Sequence, residues 1–267
     1  MLDYEEINKR LWNQKTPIHF DSTFYDMKTF REGKSSLNPI ELDFLGDIEG
    51  QSLLHLQCHF GQDSLSLARL GSKVTGVDLS DASIAIARRL NEEMSLDASF
   101  YIGNVLALDE ILPAENRYDI IFCSYGTIGW LPELDSWAKH IGHFLKPGGR
   151  FVIVDFHPTL WMMDDNFEKI GYSYFNLEPI IETEAGTYAE RDAPIHATSF
   201  SWNHPFSEIF AALLAKGGLR LTRFEEFDYS PYNCFNNTVP CDKGFQIKGL
   251  EGKLPMVYAL AFLKPHL

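Results

Sequence analysis

Residues 52–78, SLLHLQCHFGQDSLSLARLGSKVTGVD, constrain the fold of this chain more than any other stretch. A short apolar run (Leu53, Leu54, Leu56) enters a turn closed by Gly61. A helix over 63–70 stops at Gly71, and a β-branched strand over 74–77 delivers Asp78. A strand–helix–strand unit of this kind pairs its strands in parallel. It brings a helix N-terminus and a carboxylate, about 20 residues apart, to one crevice at the carboxyl ends of the strands. That juxtaposition suits the ribose of a nucleoside and predicts a nucleotide cofactor.

The same alternation continues from residue 40 to 158, as a doubly wound α/β sheet requires. Strands are expected over 52–56, 73–77, 98–102, 118–124 and 150–156, and helices near 40–45, 63–70, 81–94 and 134–145. The turn LKPGGR (145–150) ends one helix and launches the next strand. Residues 1–39 begin with a helix over 4–12 and continue as an aromatic, polar stretch, TPIHFDSTFYDMKTFREGKSS. Two readings fit this segment, a lid folded over a cofactor and a tail packed on the sheet. Residues 159–204, rich in Tyr, Phe, Thr and Glu, break the rhythm and read as an inserted, antiparallel β-rich cap. Residues 205–267 complete the core with a helix over 207–216, a Gly217–Gly218 stop, a strand over 220–227, a polar loop and a strand over 256–263.

Composition narrows the partners. The formal net charge is −14 with no Lys/Arg-rich run, and phosphate contacts dominate nucleic-acid affinity, so neither nucleic acid nor an anionic membrane is expected. The cysteines Cys58, Cys123, Cys234 and Cys241 lack CxxC spacing and read as free thiols in a reducing cytoplasm. No signal-peptide core or membrane-length apolar run occurs. No HExxH or Cys/His cluster at zinc spacing occurs either, so no metal is expected. The expected protein is a monomer or homodimer.

The choice of cofactor turns on glycine. A nicotinamide dinucleotide needs GxGxxG, so that bare backbone can approach the pyrophosphate. Here the turn reads Gln57-Cys58-His59-Phe60-Gly61, with one glycine, which disfavours a nicotinamide-dependent oxidoreductase. Four segments in order instead resemble the class I S-adenosylmethionine-dependent methyltransferases: HLQCHFG, VTGVDLS, GNVLAL, and YDIIFCSYG followed by FLKPGGRFVIVDFHP. The resemblance covers roughly residues 52–158. Departures are His55 where the family often has an acid, Gln57 and His59 in place of two glycines, and Asn104 in place of the usual Asp. They mark a subgroup with HLQCHFG, or a chain that has lost its cofactor.

The resemblance implies a Rossmann-like seven-stranded sheet, mostly parallel with an antiparallel last strand. It implies S-adenosyl-L-methionine as cofactor, S-adenosyl-L-homocysteine as product, and methyl transfer to a small-molecule acceptor. By position, Asp78 would accept from the ribose hydroxyls and Asn104 from the adenine amino group. Val105 would pack the ring and Leu79 would also contact the cofactor, while the turn Gln57, Cys58, His59 and Gly61 would face the methionine end. Ser124 and Tyr125 would border the sulfonium, and Tyr25 would reach the methionine end from the N-terminal segment. The acceptor pocket is expected from Trp130, His157, Tyr188, Glu190, Trp202 and His204. His157 and Tyr125 are the catalytic candidates. For His157 and His204, a turn histidine bonded to backbone is the competing reading. Pro240–Cys241 resembles the Pro-Cys nucleophile of cytosine methyltransferases but lies after the sixth core strand, not the fourth, and reads as chance. No Asn/Asp-Pro-Pro-Tyr/Phe follows the fourth strand, which argues against exocyclic-amine methylation of adenine or glutamine. A non-catalytic protein that binds or senses the nucleoside remains the other functional class.

Overall fold

The computed structural model describes residues 3–115 and 117–266. The expected N-terminal and closing segments are thus seen from Asp3 and as far as His266; residues 1, 2 and 267 lie outside the description.

Alternation along the strands decides the layering. In β1 (Ser52–Leu56) Leu53 and Leu54 point to opposite faces, and both are fully buried. In β5 (Leu145–Phe156) Phe151 and Ile153 join Leu54 in one core, while Val152 and Val154 join Leu53 in the other. Helix α6 (Asp135–Phe144) covers the first face, with Trp137, Ile141 and Phe144. Helix α3 (Pro39–Leu45) covers the second through Ile40, Phe44 and Leu45. A third cluster joins α2 (Met27–Arg31), α4 (Gln62–Arg69) and α5 (Asp81–Glu93) around Phe60 and Phe100.

With β2 (Lys73–Asp78), β3 (Ala98–Ile102) and β4 (Tyr118–Ser124), the sheet is completed by β8 (Arg220–Phe227) and β11 (Val257–Leu263). Its order is β3-β2-β1-β4-β5-β11-β8. The first five strands are parallel, and β11 runs antiparallel to both β5 and β8. This is a Rossmann-like doubly wound sheet, with its order reversing between β1 and β4. The crevice beyond the carboxyl ends of those two strands is where such sheets bind ligands.

Several boundaries move. Helix α1 runs Tyr4–Asp21, straight through Pro17, instead of ending near Trp12. Pro17 removes one helical hydrogen bond, but tertiary bonds hold the segment. Asn8 both donates to and accepts from the backbone of Phe200 (2.8 and 2.9 Å), Asn13 accepts from Ser80 Oγ (2.6 Å), and Thr16 meets Ser83 (2.7 Å). Strand β5 begins at Leu145, which pairs with Tyr118 ahead of a bulge; the expected turn sits inside the strand, with Gly148 in left-handed backbone (φ 77°) before Arg150 pairs with Ile120. The helix after residue 205 is α7 (Phe206–Ala211) followed by a π-helical turn, Ala212–Lys216.

Among the described residues, two hairpins lie outside the sheet. β6 (Ile180–Ala185) pairs with β7 (His196–Ser201), on which α1 packs. β9 (Thr238–Cys241) pairs with β10 (Gly244–Ile247), where the sequence reads as a polar loop. Among the described residues, no helix is long and apolar enough to cross a membrane.

Candidate functional site

A cavity of about 1110 Å³ opens at the crevice, walled by the ends of β1, β2 and β4, the inner face of α1, and the β6–β7 hairpin. Its floor is the turn after β1. Gln57 (φ 54°), His59 (φ 50°) and Gly61 (φ 78°) all adopt left-handed backbone, a conformation that favours glycine. The departures from a glycine-rich sequence therefore keep a glycine-like turn shape. Side-chain anchors accompany the two strained residues. Gln57 donates to the carbonyl of Thr127 (2.8 Å), and His59 bonds Ser83 (3.0 Å) and His19 (3.1 Å) through its two ring nitrogens. Burial, then the Lys15 charge, lowers His59 to about 3, so its imidazole is neutral.

Asp78 ends β2 beside this turn. Its carboxylate accepts the backbone N–H groups of His59 and Ser80, each at 2.8 Å. Burial lifts its pKa to about 6 against the pull of those two amides. Leu79 and the nearly buried Val105 line the wall next to it. Asn104 is there too, but its side-chain oxygen caps the following turn by accepting from Leu106 N–H (2.9 Å), and its amide donates to Glu5 (2.7 Å). The oxygen expected for adenine is thus already used once, and Glu5 is a wall residue that sequence reasoning missed.

The end of β4 carries a polar chain. Ser124 donates to Asp63 (2.9 Å), which also accepts from Ser36 (2.6 Å) of the N-terminal segment. Ser124 meets His55 at 3.2 Å, and the other ring nitrogen of His55 meets Ser64 at 2.8 Å. Burial, opposed by Asp63, lowers His55 to about 4, so a neutral imidazole stands where the family often has an acid. Tyr125 (φ 37°) lines the cavity and donates its hydroxyl to Glu41 (3.0 Å). Glu41 is fully buried, and burial, followed by the nearby Asp63 charge, raises it to about 7. The turn after Tyr125 is clamped by Asp155, which accepts from the N–H groups of Gly126, Thr127 and Ile128 and from the Thr127 hydroxyl. Neither Glu41 nor Asp155 was among the sequence candidates.

The remaining expected residues divide. Tyr25, Cys58, Trp130, Tyr188, Trp202 and His204 line the cavity. Tyr25 and Tyr188 share a short hydroxyl–hydroxyl bond, and Trp130 packs edge-on against Trp12 (5.3 Å). His204 is held by the carbonyl of Leu131 (2.8 Å) and by Glu208 (3.1 Å), in line with its backbone-bonded reading.

Three expectations need correction. His157 is not on the cavity wall. Its ring is buried with one nitrogen bound at Thr159 (2.8 Å) and the other at Glu226 (2.8 Å), so it has no free nitrogen for an acceptor. Glu190 is exposed and off the wall; its carbonyl closes a turn by accepting from Thr187 N–H (3.0 Å). Gly61 is packed away from the cavity, where a β-carbon would stand 2.9 Å from both Ala87 and Phe100. Among the described residues, no group of three His, Cys, Asp or Glu is placed to hold a metal.

Residues 53–149 match the family described as a methyltransferase domain. The chain is 35% identical to the demethylmenaquinone methyltransferase of Lactococcus lactis subsp. lactis, over 46% of this chain and 50% of that protein. It is 27% identical to a ubiquinone biosynthesis O-methyltransferase of Coxiella burnetii, over 73% and 76%. With the first of these, and with a ubiquinone biosynthesis O-methyltransferase of Alkalilimnicola ehrlichii (47% covered), the chain spans only about half the relative's length. Among solved structures, a putative S-adenosylmethionine-dependent methyltransferase from Listeria monocytogenes superposes with a TM-score of 0.57 at 18% identity, over 84% of this chain and 95% of that one. The [4+2]-cyclase SpnF superposes with 0.59 at 15% identity, over 98% and 96%. These two likenesses establish the fold, and the second shows that the fold alone does not set the reaction. Residues 53–149 of this chain thus carry a methyltransferase domain, set in a Rossmann-like sheet whose cavity opens at the switch point.

Proposed function

We propose that this chain transfers the methyl group of S-adenosylmethionine to a small, partly apolar acceptor bound in the cavity. The observation that carries this reading is Asp78: a buried carboxylate at the end of β2, held by two backbone amides, beside a cavity large enough for a nucleoside and a second molecule. Its raised pKa means that its charge is under-solvated, so two further donors, such as ribose hydroxyls, would relieve it. Gln57 supplies a second sign of fit, since its side-chain oxygen is buried without a partner and would accept from an ammonium group. The bound cofactor would supply an electrophilic methyl carbon on a sulfonium.

The chain's own residues position and shield. Trp12, Trp130 and Trp202 wall the cavity with apolar surface, and α1 with the β6–β7 hairpin forms the lid and cap that keep water out. If the acceptor is a hydroxyl, Tyr125 is the wall residue placed to take its proton, passing its own to Glu41 behind it. The quinone-related names of the relatives support an aromatic hydroxyl or ring carbon as the methylated position. We place the protein in the cytoplasm as a monomer or homodimer, without nucleic acid, membrane or metal.

Calorimetry with S-adenosylhomocysteine and with NAD tests the cofactor. Binding of the first and not the second is expected, and tight NAD binding indifferent to Asp78→Ala would overturn the reading. Methyl transfer to a panel of phenols and quinols then separates an enzyme from a protein that only binds the nucleoside.

A further inference from the structure

Among the described residues, three lysine or arginine side chains stand on the cavity wall, Lys15, Lys34 and Arg191. Two have partners: Lys34 lies 3.8 Å from Asp26, and Arg191 donates to Asn236 and to the carbonyl of Phe235. Lys15 is different. It sits on the inner face of α1 with 9% of its surface exposed, and its ammonium makes no hydrogen bond or ion pair among the described residues. The face of the Trp12 ring is 5.6 Å away, and Glu184 of β6 acts on it only from beyond ion-pair distance. Burial pulls its pKa below the usual lysine value, with Glu184 opposing.

Carboxylates are not scarce here. The chain holds 37 Asp and Glu against 23 Lys and Arg, so a nearly buried lysine without one is a site left open, not a shortage of partners. A buried, unpaired cation is unfavourable for folding and is retained where something else pairs with it. Its surroundings sharpen the point. His19 on α1 and His59 on the turn, both of which feel the Lys15 charge, are neutral, and neither adds a positive charge to compete for an anion.

We infer that Lys15 is an anion-binding group that pairs with the carboxylate of a molecule held in the cavity. The inference rests on the function proposed above, and two carriers of the carboxylate fit: the amino-acid end of the cofactor and an acidic acceptor. Both offer the same chemistry to the ammonium. Lys15→Met keeps the length and apolar stem of the side chain and removes only the charge, and Lys15→Arg keeps the charge.

The test is calorimetric titration of the full chain and both variants. The cofactor arm uses S-adenosylhomocysteine against methylthioadenosine, which lacks the amino-acid end. The acceptor arm uses 4-hydroxybenzoate against phenol, with and without S-adenosylhomocysteine present. Lys15→Met is expected to lose at least tenfold in affinity for one carboxylate-bearing ligand and nothing for its carboxylate-free counterpart, with Lys15→Arg recovering most of the loss. It should also melt no lower than wild type, whereas a purely structural lysine would lower the melting temperature. Which arm responds identifies the carrier. Affinity for S-adenosylhomocysteine and 4-hydroxybenzoate unchanged by Lys15→Met, or 4-hydroxybenzoate bound by neither protein with the cofactor arm unmoved, overturns the inference. Failure of wild type to bind either nucleoside would instead overturn the cofactor reading, and the 4-hydroxybenzoate arm on the free protein would still decide Lys15.

Discussion

Replacing Glu41 by Gln should shift stability further in the variant's favour at pH 8 than at pH 5. Glu41 is wholly buried, and its carboxylate takes the backbone N–H of Asn38 (3.2 Å), the Asn38 amide (3.1 Å) and the Tyr125 hydroxyl (3.0 Å). Burial and the Asp63 charge nevertheless outweigh those donors and lift its pKa from 4.5 to about 7. The native state therefore holds this proton more tightly than the unfolded chain does. Its contribution is fully present below pH 4.5 and is lost as the pH rises through 7. At roughly 1.4 kcal/mol per pH unit, the full loss is ~3 kcal/mol, of which ~2.5 kcal/mol falls between pH 5 and pH 8. Gln cannot ionise, so the stability gap between variant and wild type should widen by that amount across the interval, whatever constant offset the altered hydrogen bonds introduce. For a chain of this size the widening corresponds to about 5–10 °C in melting temperature. Scanning calorimetry of both proteins at pH 5 and pH 8 reads it. A gap that is the same at both pH values would show that Glu41 ionises in the folded state as it does in the unfolded chain, and would refute the reasoning from its burial.

Asp78→Ala should weaken S-adenosylhomocysteine binding about 10- to 100-fold, from the ~1.5–3 kcal/mol scale of hydrogen bonds to a charged group, measured by calorimetry. In wild type the same affinity should fall as the pH drops below about 6, because a protonated Asp78 must ionise to accept both hydroxyls. His157→Asn should leave cofactor affinity unchanged while lowering the melting temperature, since the ring serves Glu226 and Thr159 and not the cavity. Gly61→Ala should destabilise by about 2–4 kcal/mol in a denaturant titration, combining a left-handed backbone with a β-carbon pressed against Ala87 and Phe100.

Where the sequence was legible, one physical rule sufficed. The apolar run of β1 and the β-branched run of β2 can only be buried strands, and Asp78 is positioned by the end of its strand whatever its side chain contacts. Residues whose role depends on which way a side chain turns were not legible. Glu41 sits on a short amphipathic helix and looks like part of a solvated face, yet it is drawn inward by Tyr125 from another element 84 residues away. His157 follows its strand as directly as a site residue would, but β8 offers it Glu226 on the other side. Lys15 lies on the part of α1 beyond the expected helix, and Glu5, within it, is drawn to the cavity by Asn104 from another element. The β9–β10 hairpin is four residues per strand and only partly buried, too short to rise above its polar neighbours.

The placement of β11 bears on how the molecule is assembled during synthesis. This strand lies between β5 and β8, although it is made after both. Until Val257–Leu263 leaves the ribosome, β5 presents an open edge of Phe151, Val152, Ile153 and Val154, and β8 has nothing to pair with. The whole excursion from Phe156 to Val257 must be looped out before its two ends can meet, a slow, non-local closure. A nascent chain halted before residue 257 would therefore expose an apolar strand edge competent to pair with another copy, and this half of the sheet depends on the last strand for its solubility as well as its shape.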